Sequence, residues 1–148
     1  MKRFEFRLDR VREWRKTQVD LEAARLERLF GEKHRLEEAA AELRRKVQAE
    51  EKKLATAMAA GEKVDGRQFS RLDDFRLHAK QEQYALANRR EQLLARIDEQ
   101  RRRLVEAQRN AKLLDRLKEK ARDTWEKEYS KELEELAAEL HLARRHSA

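Results

Sequence analysis

Carboxylates and histidines are the residues of this chain that could most readily serve catalysis or metal binding. The 148 residues include 30 Asp and Glu, and 37 Lys and Arg are interleaved with them. Pairs such as Glu42 and Lys46 stand four residues apart, which is the spacing of ion pairs on a solvated helix face. His141 and His146 stand five apart, so they do not share a helix face as ligands spaced by four would. We therefore predict no catalytic, cofactor-binding or metal site, and no enzyme activity.

Arginine clusters raise the question of nucleic-acid binding. Residues 101–103 are consecutive arginines, and the net charge is +7. A basic DNA-binding helix concentrates positive charge on one continuous segment. Here Glu5, Asp9 and Glu13 interrupt the basic start of the chain. The interleaving favours a mixed-charge solvated surface over nucleic-acid binding.

Aromatic residues mark two further places of interest. Phe69, Leu72 and Phe75 follow one another at three-residue steps, so they share one side of a helix. They either fill the tip of a hairpin or form a partly exposed anchor for a partner, because aromatic side chains are favoured at interface hot spots. Trp125 and Tyr129, one helical turn apart, pose the same choice near the end of the chain.

The composition indicates that long helices position these residues. Charged residues make up 45% of the chain, against about 25% in an average protein. So many charges do not suit a normal globular core. Disorder is not indicated either, because the chain has 3 Gly and no Pro. The absence of Cys excludes disulfides, and charges along the start and throughout predict neither a signal peptide nor a membrane span.

The segment that contains Gly61 is the only clear break in the helical pattern of the sequence. Gly61 is a typical helix stop, and Ser70 is a plausible N-cap for the helix that follows. We predict one all-α unit over residues 1–148: a long two-helix antiparallel coiled-coil hairpin with a longer second helix. Its predicted parts are a first helix over about residues 4–60, a turn over about 61–69, and a second helix over about 70–145.

Apolar residues recur at steps of three and four on both sides of the break, as in a narrow coiled-coil seam. In this pattern Glu50, Glu82 and Arg89 take seam positions. Two successive four-residue steps, from Arg89 to Leu93 to Ile97, predict a stutter that locally unwinds the supercoil.

The unequal helix lengths have a consequence for the end of the chain. With the turn centred near residue 65, the numbers of paired residues should sum to about 130. This register places Phe4 beside Trp125 and leaves the last 15–20 residues without a partner in the chain. Leu133, Leu136 and Leu140 would then form an apolar stripe that nothing internal covers.

Four segments carry a resemblance to a known family. The start reads Phe-Glu-Phe-Arg-Leu-Asp-Arg-Val over residues 4–11, an Ala-Gly break follows at 60–61 with an aromatic-rich restart, and two charged runs occupy 114–120 and 131–137. Together these segments resemble the FliJ family, the small coiled-coil component of the bacterial flagellar type III export apparatus. The resemblance extends over essentially the whole chain.

The resemblance implies a non-enzymatic stalk or adaptor without cofactors, monomeric when free. It implies that the open end, where both termini lie, binds the export ATPase hexamer, and that the region near the tip contacts the export gate membrane protein. Export chaperones are a further class of partner. The expected location is cytoplasmic, peripherally associated with the inner membrane export apparatus. Two alternatives stay open: a generic self-associating structural coiled coil, and the injectisome counterpart of the same role.

Two sets of contact residues follow from this reading. The export-gate set is Phe69, Leu72, Phe75 and Ala79. Phe75 matches the aromatic gate-contact position of the family, and Ala79 stands where a larger apolar residue is expected. The ATPase set at the open end is Phe4, Leu8, Val11, Trp125, Tyr129, Leu133 and Leu136. It rests mainly on the unpaired stripe.

Overall fold

The protein folds into two α-helices joined by a short turn. The computed structural model describes residues 2–147, in which α1 spans Asp9–Ala59 and α2 spans Gly66–Ser147. The helices contain 51 and 82 residues. Within each of the two compact units described below they pack antiparallel, and the described residues contain no strand. The predicted all-α hairpin with a longer second helix is therefore confirmed.

Gly61 ends α1 as the sequence predicts. It has the positive φ of 76° that side chains with a Cβ rarely adopt. The N–H of Gly61 donates to the carbonyl of Met58 over 3.2 Å, and the N–H of Glu62 donates to the carbonyl of Ala57 over 3.1 Å. These two bonds form a Schellman motif, which satisfies carbonyls at the helix end.

The second helix begins earlier than predicted, at Gly66, and its N-cap is Asp65 rather than Ser70. The Asp65 Oδ1 accepts hydrogen bonds from the backbone N–H of Arg67 and of Gln68, over 2.9 and 3.3 Å. In return the Gln68 side chain accepts from the Asp65 N–H over 3.2 Å. This reciprocal pair is a capping box. The turn is therefore shorter than the predicted 61–69.

The first helix begins later than predicted, at Asp9 rather than near residue 4. Residues 2–6 are not helical. The Trp125 indole N–H donates to the carbonyl of Lys2 over 3.2 Å, and the ring centroids of Phe4 and Trp125 are 5.9 Å apart. Contacts with α2 thus hold the start of the chain in a non-helical conformation.

The structure divides into two compact units. Unit 1 contains the described residues up to Ala23 and from Arg103 onward, and unit 2 is Ala24–Arg102. In unit 2 the buried residues Leu29, Leu93 and Ile97 form a small core. Leu26 and Leu36, which are partly buried, pack against it. In unit 1, Ala111 and Leu114 are the buried apolar residues.

Ion pairs between the helices flank the seam in both units. In unit 1 the Arg12 Nε lies 2.6 Å from the Asp115 Oδ1, and the Lys118 Nζ lies 3.0 Å from the Asp9 Oδ1. In unit 2 the Arg90 Nε lies 3.3 Å from the Glu37 Oε1, and the Arg76 Nε lies 2.9 Å from the Glu51 Oε1. The residue numbers of each pair sum to 127. The predicted sum was about 130, and the difference arises because the turn is centred earlier than residue 65.

The seam in unit 2 also corrects the predicted stutter. Glu50, Glu82 and Arg89 are exposed, and their neighbours Glu51, Gln83 and Arg90 are half-buried instead. The two successive four-residue steps therefore run from Phe75 to Ala79 to Gln83. In α1 the matching steps run from Leu43 to Val47 to Glu51. In the observed register Val47 stands opposite Ala79 or Lys80. The two successive four-residue steps therefore occur at the same level in both helices.

Replacing Gly61 by Ala should lower the free energy of unfolding by about 1 kcal/mol, because the alanine Cβ is strained at positive φ. Gly31 and Gly66 offer matched controls, since an added Cβ at either meets nothing within 4 Å and neither has a positive φ. Gly31→Ala should raise the stability by about 0.5–1 kcal/mol. Urea titration followed by circular dichroism measures all three. A Gly61→Ala protein as stable as wild type would contradict the assigned helix stop.

Candidate protein-interaction site

Three aromatic rings meet at the open end of unit 1. The rings of Trp125 and Tyr129 stack with centroids 5.3 Å apart and planes 3° apart. The Phe4 ring packs against the Trp125 ring and is tilted by 54° to it. We call Phe4, Trp125 and Tyr129 the aromatic cluster. The sequence prediction that Phe4 lies beside Trp125 is confirmed.

A basic groove borders the aromatic cluster. It has a volume of about 990 Å³ and lies between the start of the chain and α2. The Arg122 guanidinium stands 5.6 Å from the centre of the Phe4 ring, a cation–π distance. The cationic residues that line the groove are Arg3, Arg7, Arg10, Lys118 and Arg122. The sequence alone does not indicate this groove, because the cations that line it come from segments more than 100 residues apart.

An ion pair with a perturbed carboxylate lies beyond this groove. The Arg12 guanidinium donates a hydrogen bond to the Asp115 carboxylate and, together with the nearby charges of Lys16 and Lys118, lowers the pKa of Asp115 below its ordinary value of 3.8. The contact is an interhelical clamp that joins α1 to α2 in unit 1. In the sequence, this ion pair is indicated by opposite charges at positions that face each other in the antiparallel register. The indication can be recognised only when the register is known.

The last part of α2 is exposed to solvent along its whole described length. Every described residue from Glu126 to Ser147 is exposed, and we call this segment the tail. Leu133, Leu136 and Leu140 are 48%, 56% and 59% exposed. The prediction of an apolar stripe that nothing internal covers is confirmed.

The residues expected at the ATPase contact all belong to unit 1, but they do not form one patch. Phe4 and Leu8 are half-buried and Val11 is exposed. The structure brings Phe4 together with Trp125 and Tyr129 in the aromatic cluster. Leu133 and Leu136 follow further along α2, one and two turns beyond the cluster. A partner lying along α2 at this end would contact both the cluster and the tail.

The residues expected at the export-gate contact lie in unit 2 at the start of α2. Phe69 is 42% exposed, whereas Leu72 and Phe75 are half-buried and line a hollow with Leu54. Ala79 is only 4% exposed because it packs in the seam against α1. The structure therefore corrects this part of the prediction, since a buried Ala79 has no surface to offer a partner.

The described residues 2–147 contain no group of three or more side chains that could hold a metal ion. Neither helix has a described stretch that is long and apolar enough to cross a bilayer. Comparisons with protein-family models, with curated proteins and with solved structures return no match to this chain. The exposed surfaces of the hairpin and the sequence resemblance described above are therefore the features that indicate a function.

The Arg12–Asp115 clamp predicts a pH dependence of stability. The folded pKa of Asp115 is lowered, so its contribution to stability is fully present above its ordinary pKa of 3.8 and is lost as the pH falls through the lower folded value. The wild type should therefore be more stable than Asp115→Asn at pH 7, and the difference should shrink as the pH falls below 3.8 and disappear once Asp115 is protonated in the folded protein. Urea midpoints measured from pH 7 into this acidic range test the prediction. An Arg12→Gln background should reduce the difference, because only the charges of Lys16 and Lys118 then remain beside Asp115, and an undiminished difference there would show that another group is responsible.

The ring contacts in the aromatic cluster predict that Trp125 is shielded from quenchers in solution. Of the two tryptophans, Trp14 is 52% exposed, so a Trp14→Phe protein reports on Trp125 alone. In that background Phe4→Ala should increase acrylamide quenching of Trp125 and lower stability by about 1 kcal/mol, because the ring contact is lost. Phe69→Ala, which removes an aromatic ring from unit 2, serves as the matched control and should leave quenching unchanged. Unchanged quenching in Phe4→Ala would mean that Phe4 does not cover the indole.

Proposed function

We propose that this protein is a non-enzymatic stalk or adaptor of the flagellar type III protein export apparatus. In this role it binds the export ATPase ring, links the ring to the membrane export gate and thereby supports flagellum assembly. The observation that carries the proposal is the exposed apolar stripe of the tail, which continues α2 directly from the aromatic cluster. The similarity of the chain to the FliJ family, in its first residues and in its later charged runs, supplies the identity of the partners.

The ATPase contact is assigned to unit 1. The tail is supported as a contact surface because three leucines about half exposed stand on one side of a continuous helix. Apolar side chains in such an arrangement are the usual anchors when a helix docks in a groove. The many exposed ion pairs elsewhere contribute little each, which suits reversible contacts inside a ring.

The export-gate contact is assigned to the start of α2 in unit 2. Phe69 is its best-supported residue, because its ring is 42% exposed and stands on the first turn of the helix. Phe75 and Leu72 line the adjoining hollow and offer apolar area beside it. Export chaperones are a further proposed class of partner, and the proposed location is the cytoplasmic side of the inner membrane, in peripheral association with the export apparatus.

A pull-down with the purified export ATPase of the same organism tests the first contact. The full-length chain should retain the ATPase, whereas the double variant Leu133→Ser, Leu136→Ser should bind at least about tenfold more weakly, because two exposed anchors are lost. Val105→Ser with Leu113→Ser is the matched control, since both residues are exposed on α2 but lie before the tail. Circular dichroism checks that all the proteins remain helical.

The same experiment distinguishes the two contacts. Phe69→Ala should weaken binding to the cytoplasmic domain of the export gate while ATPase binding stays unchanged. The tail variant should show the opposite pattern. A chain ending at Lys127 that binds the ATPase as well as the full-length chain would refute the assignment of the ATPase contact to the tail.

A further inference from the structure

The tail carries two sets of residues at the spacing of the seam between α1 and α2. Up to Trp125, the side of α2 that faces α1 carries a buried or half-buried residue every three or four positions, ending with Lys118, Ala121 and Trp125. Beyond Trp125 a first step of four residues selects apolar residues, whereas a first step of three selects four glutamates. We call these glutamates the glutamate row: Glu128, Glu132, Glu135 and Glu139. A helix extending along the line of α1 would therefore meet carboxylates on one side.

The exposed apolar residues of the tail stand one position after each of these glutamates. We call them the leucine face: Tyr129, Leu133, Leu136 and Leu140. One residue corresponds to a rotation of about 100° around the helix axis. The glutamate row and the leucine face therefore lie about 50° to either side of the direction in which Trp125 points. A helix packed on the leucine face has the glutamate row along one flank.

The negative charge lies mainly on one flank of the leucine face. The preceding positions are all glutamates, whereas the positions that follow are Ser130, Glu134, Ala137 and His141, with a single carboxylate. Small residues on this second flank allow a neighbouring helix to approach closely. The two flanks therefore define an orientation: cations of an occupant belong on the side of the glutamate row.

The charge of the tail selects among possible occupants. The tail contains six glutamates, two lysines and two arginines, a net charge of −2 in a chain whose total is +7, and its part that carries the leucine face, residues 126–140, has a net charge of −4. A second copy would bring its own glutamate row, and like charges facing each other across an interface are unfavourable. An anionic membrane surface attracts cationic segments and repels this one. A cationic partner satisfies both the leucine face and the glutamate row.

We propose that the leucine face and the glutamate row together bind an amphipathic helix of a partner protein, with Lys or Arg along one flank of its apolar stripe. The partner helix contributes apolar side chains at steps of three and four, which pack against the leucine face. Its cations pair with the glutamate row and fix the orientation. This inference rests on the proposed function, because it specifies the chemistry of the partner surface that the tail contacts.

Two synthetic peptides of about 21 residues, or three heptads, test the proposal. Both carry Leu at the a and d positions. One has Lys and the other has Glu at the flanking e and g positions, so that like charges keep each from pairing with itself. Titration calorimetry with the full-length chain should show the Lys peptide binding about tenfold more tightly than the Glu peptide. The overall charge of +7 opposes this preference, so general attraction cannot produce it.

Variants of the full-length chain localise the binding. Replacing the glutamate row by Gln should remove the preference for the Lys peptide, and Leu133→Ser with Leu136→Ser should abolish binding of both peptides. The matched control replaces four exposed glutamates outside the tail by Gln, namely Glu27, Glu82, Glu91 and Glu119. This control should keep the preference. Equal binding of the two peptides, no binding of either, or a preference that survives loss of the glutamate row would overturn the proposal.

Two further measurements examine the other occupants. Sedimentation of the chain alone across a concentration range should show no dimer that depends on Leu133 and Leu136, and such a dimer would assign the leucine face to a second copy. Vesicles containing phosphatidylserine should not bind through the tail, and tail-dependent binding would also overturn the proposal. If the ATPase needs the tail but the Lys peptide does not bind, this inference fails and the proposed function stands. If the Lys peptide binds and the ATPase does not need the tail, the proposed ATPase contact fails while the partner chemistry stands.

Discussion

The antiparallel register of the two helices is the constraint on which the other features depend. Gly61 ends α1 with a left-handed residue, and the capping box of Asp65 and Gln68 starts α2 at once. The short turn between them fixes which residues face each other. Four interhelical ion pairs then share one register, with paired numbers that sum to 127. The Trp125 indole donates to the carbonyl of Lys2, and the tail lies beyond this level of α2.

A narrow seam of this kind derives its stability differently from a globular core. Its buried apolar residues are few, and in unit 2 they centre on Leu29, Leu93 and Ile97. Long charged side chains complete the cover, because their aliphatic parts lie along the seam while their charged ends remain in water. Lys118 and Arg12 are examples, each half-buried and each paired with a carboxylate of the opposite helix. The charged residues, which make up 45% of the sequence, therefore contribute to the packing as well as to the solvated surface.

Local signals in the sequence predicted the fold well where one residue determines the outcome. Gly61 is such a case, because few other residues adopt its backbone conformation. The prediction that α2 starts at Ser70 is wrong, because Asp65 and Gln68 have the spacing of a capping box and Gly66 belongs to the helix and not to the turn. Seam residues such as Gln83 and Arg90 were displaced by one position for a different reason. Polar side chains at adjacent positions give no periodic signal, so only the packed partner distinguishes them.

The interaction surfaces were predictable to different degrees. The unpaired stripe of the tail followed from unequal helix lengths alone, and the aromatic cluster followed from the approximate register. The burial of Ala79 did not follow, because an alanine fits equally well on an exposed or a buried helix face. The basic groove required knowledge that the start of the chain leaves the helical conformation and crosses α2, which depends on contacts with Trp125 and not on local propensity.

The helical tail combines two opposing effects. The tail continues an existing helix and therefore needs no nucleation of its own. The glutamate row acts against it, because Glu128 with Glu132 and Glu135 with Glu139 are like charges four residues apart, each pair destabilising by about 0.2–0.5 kcal/mol. Cations placed beside the row would remove this repulsion at the same time as apolar contacts form on the neighbouring face. The proposed binding of a cationic helix would thus also stabilise the helix of the tail.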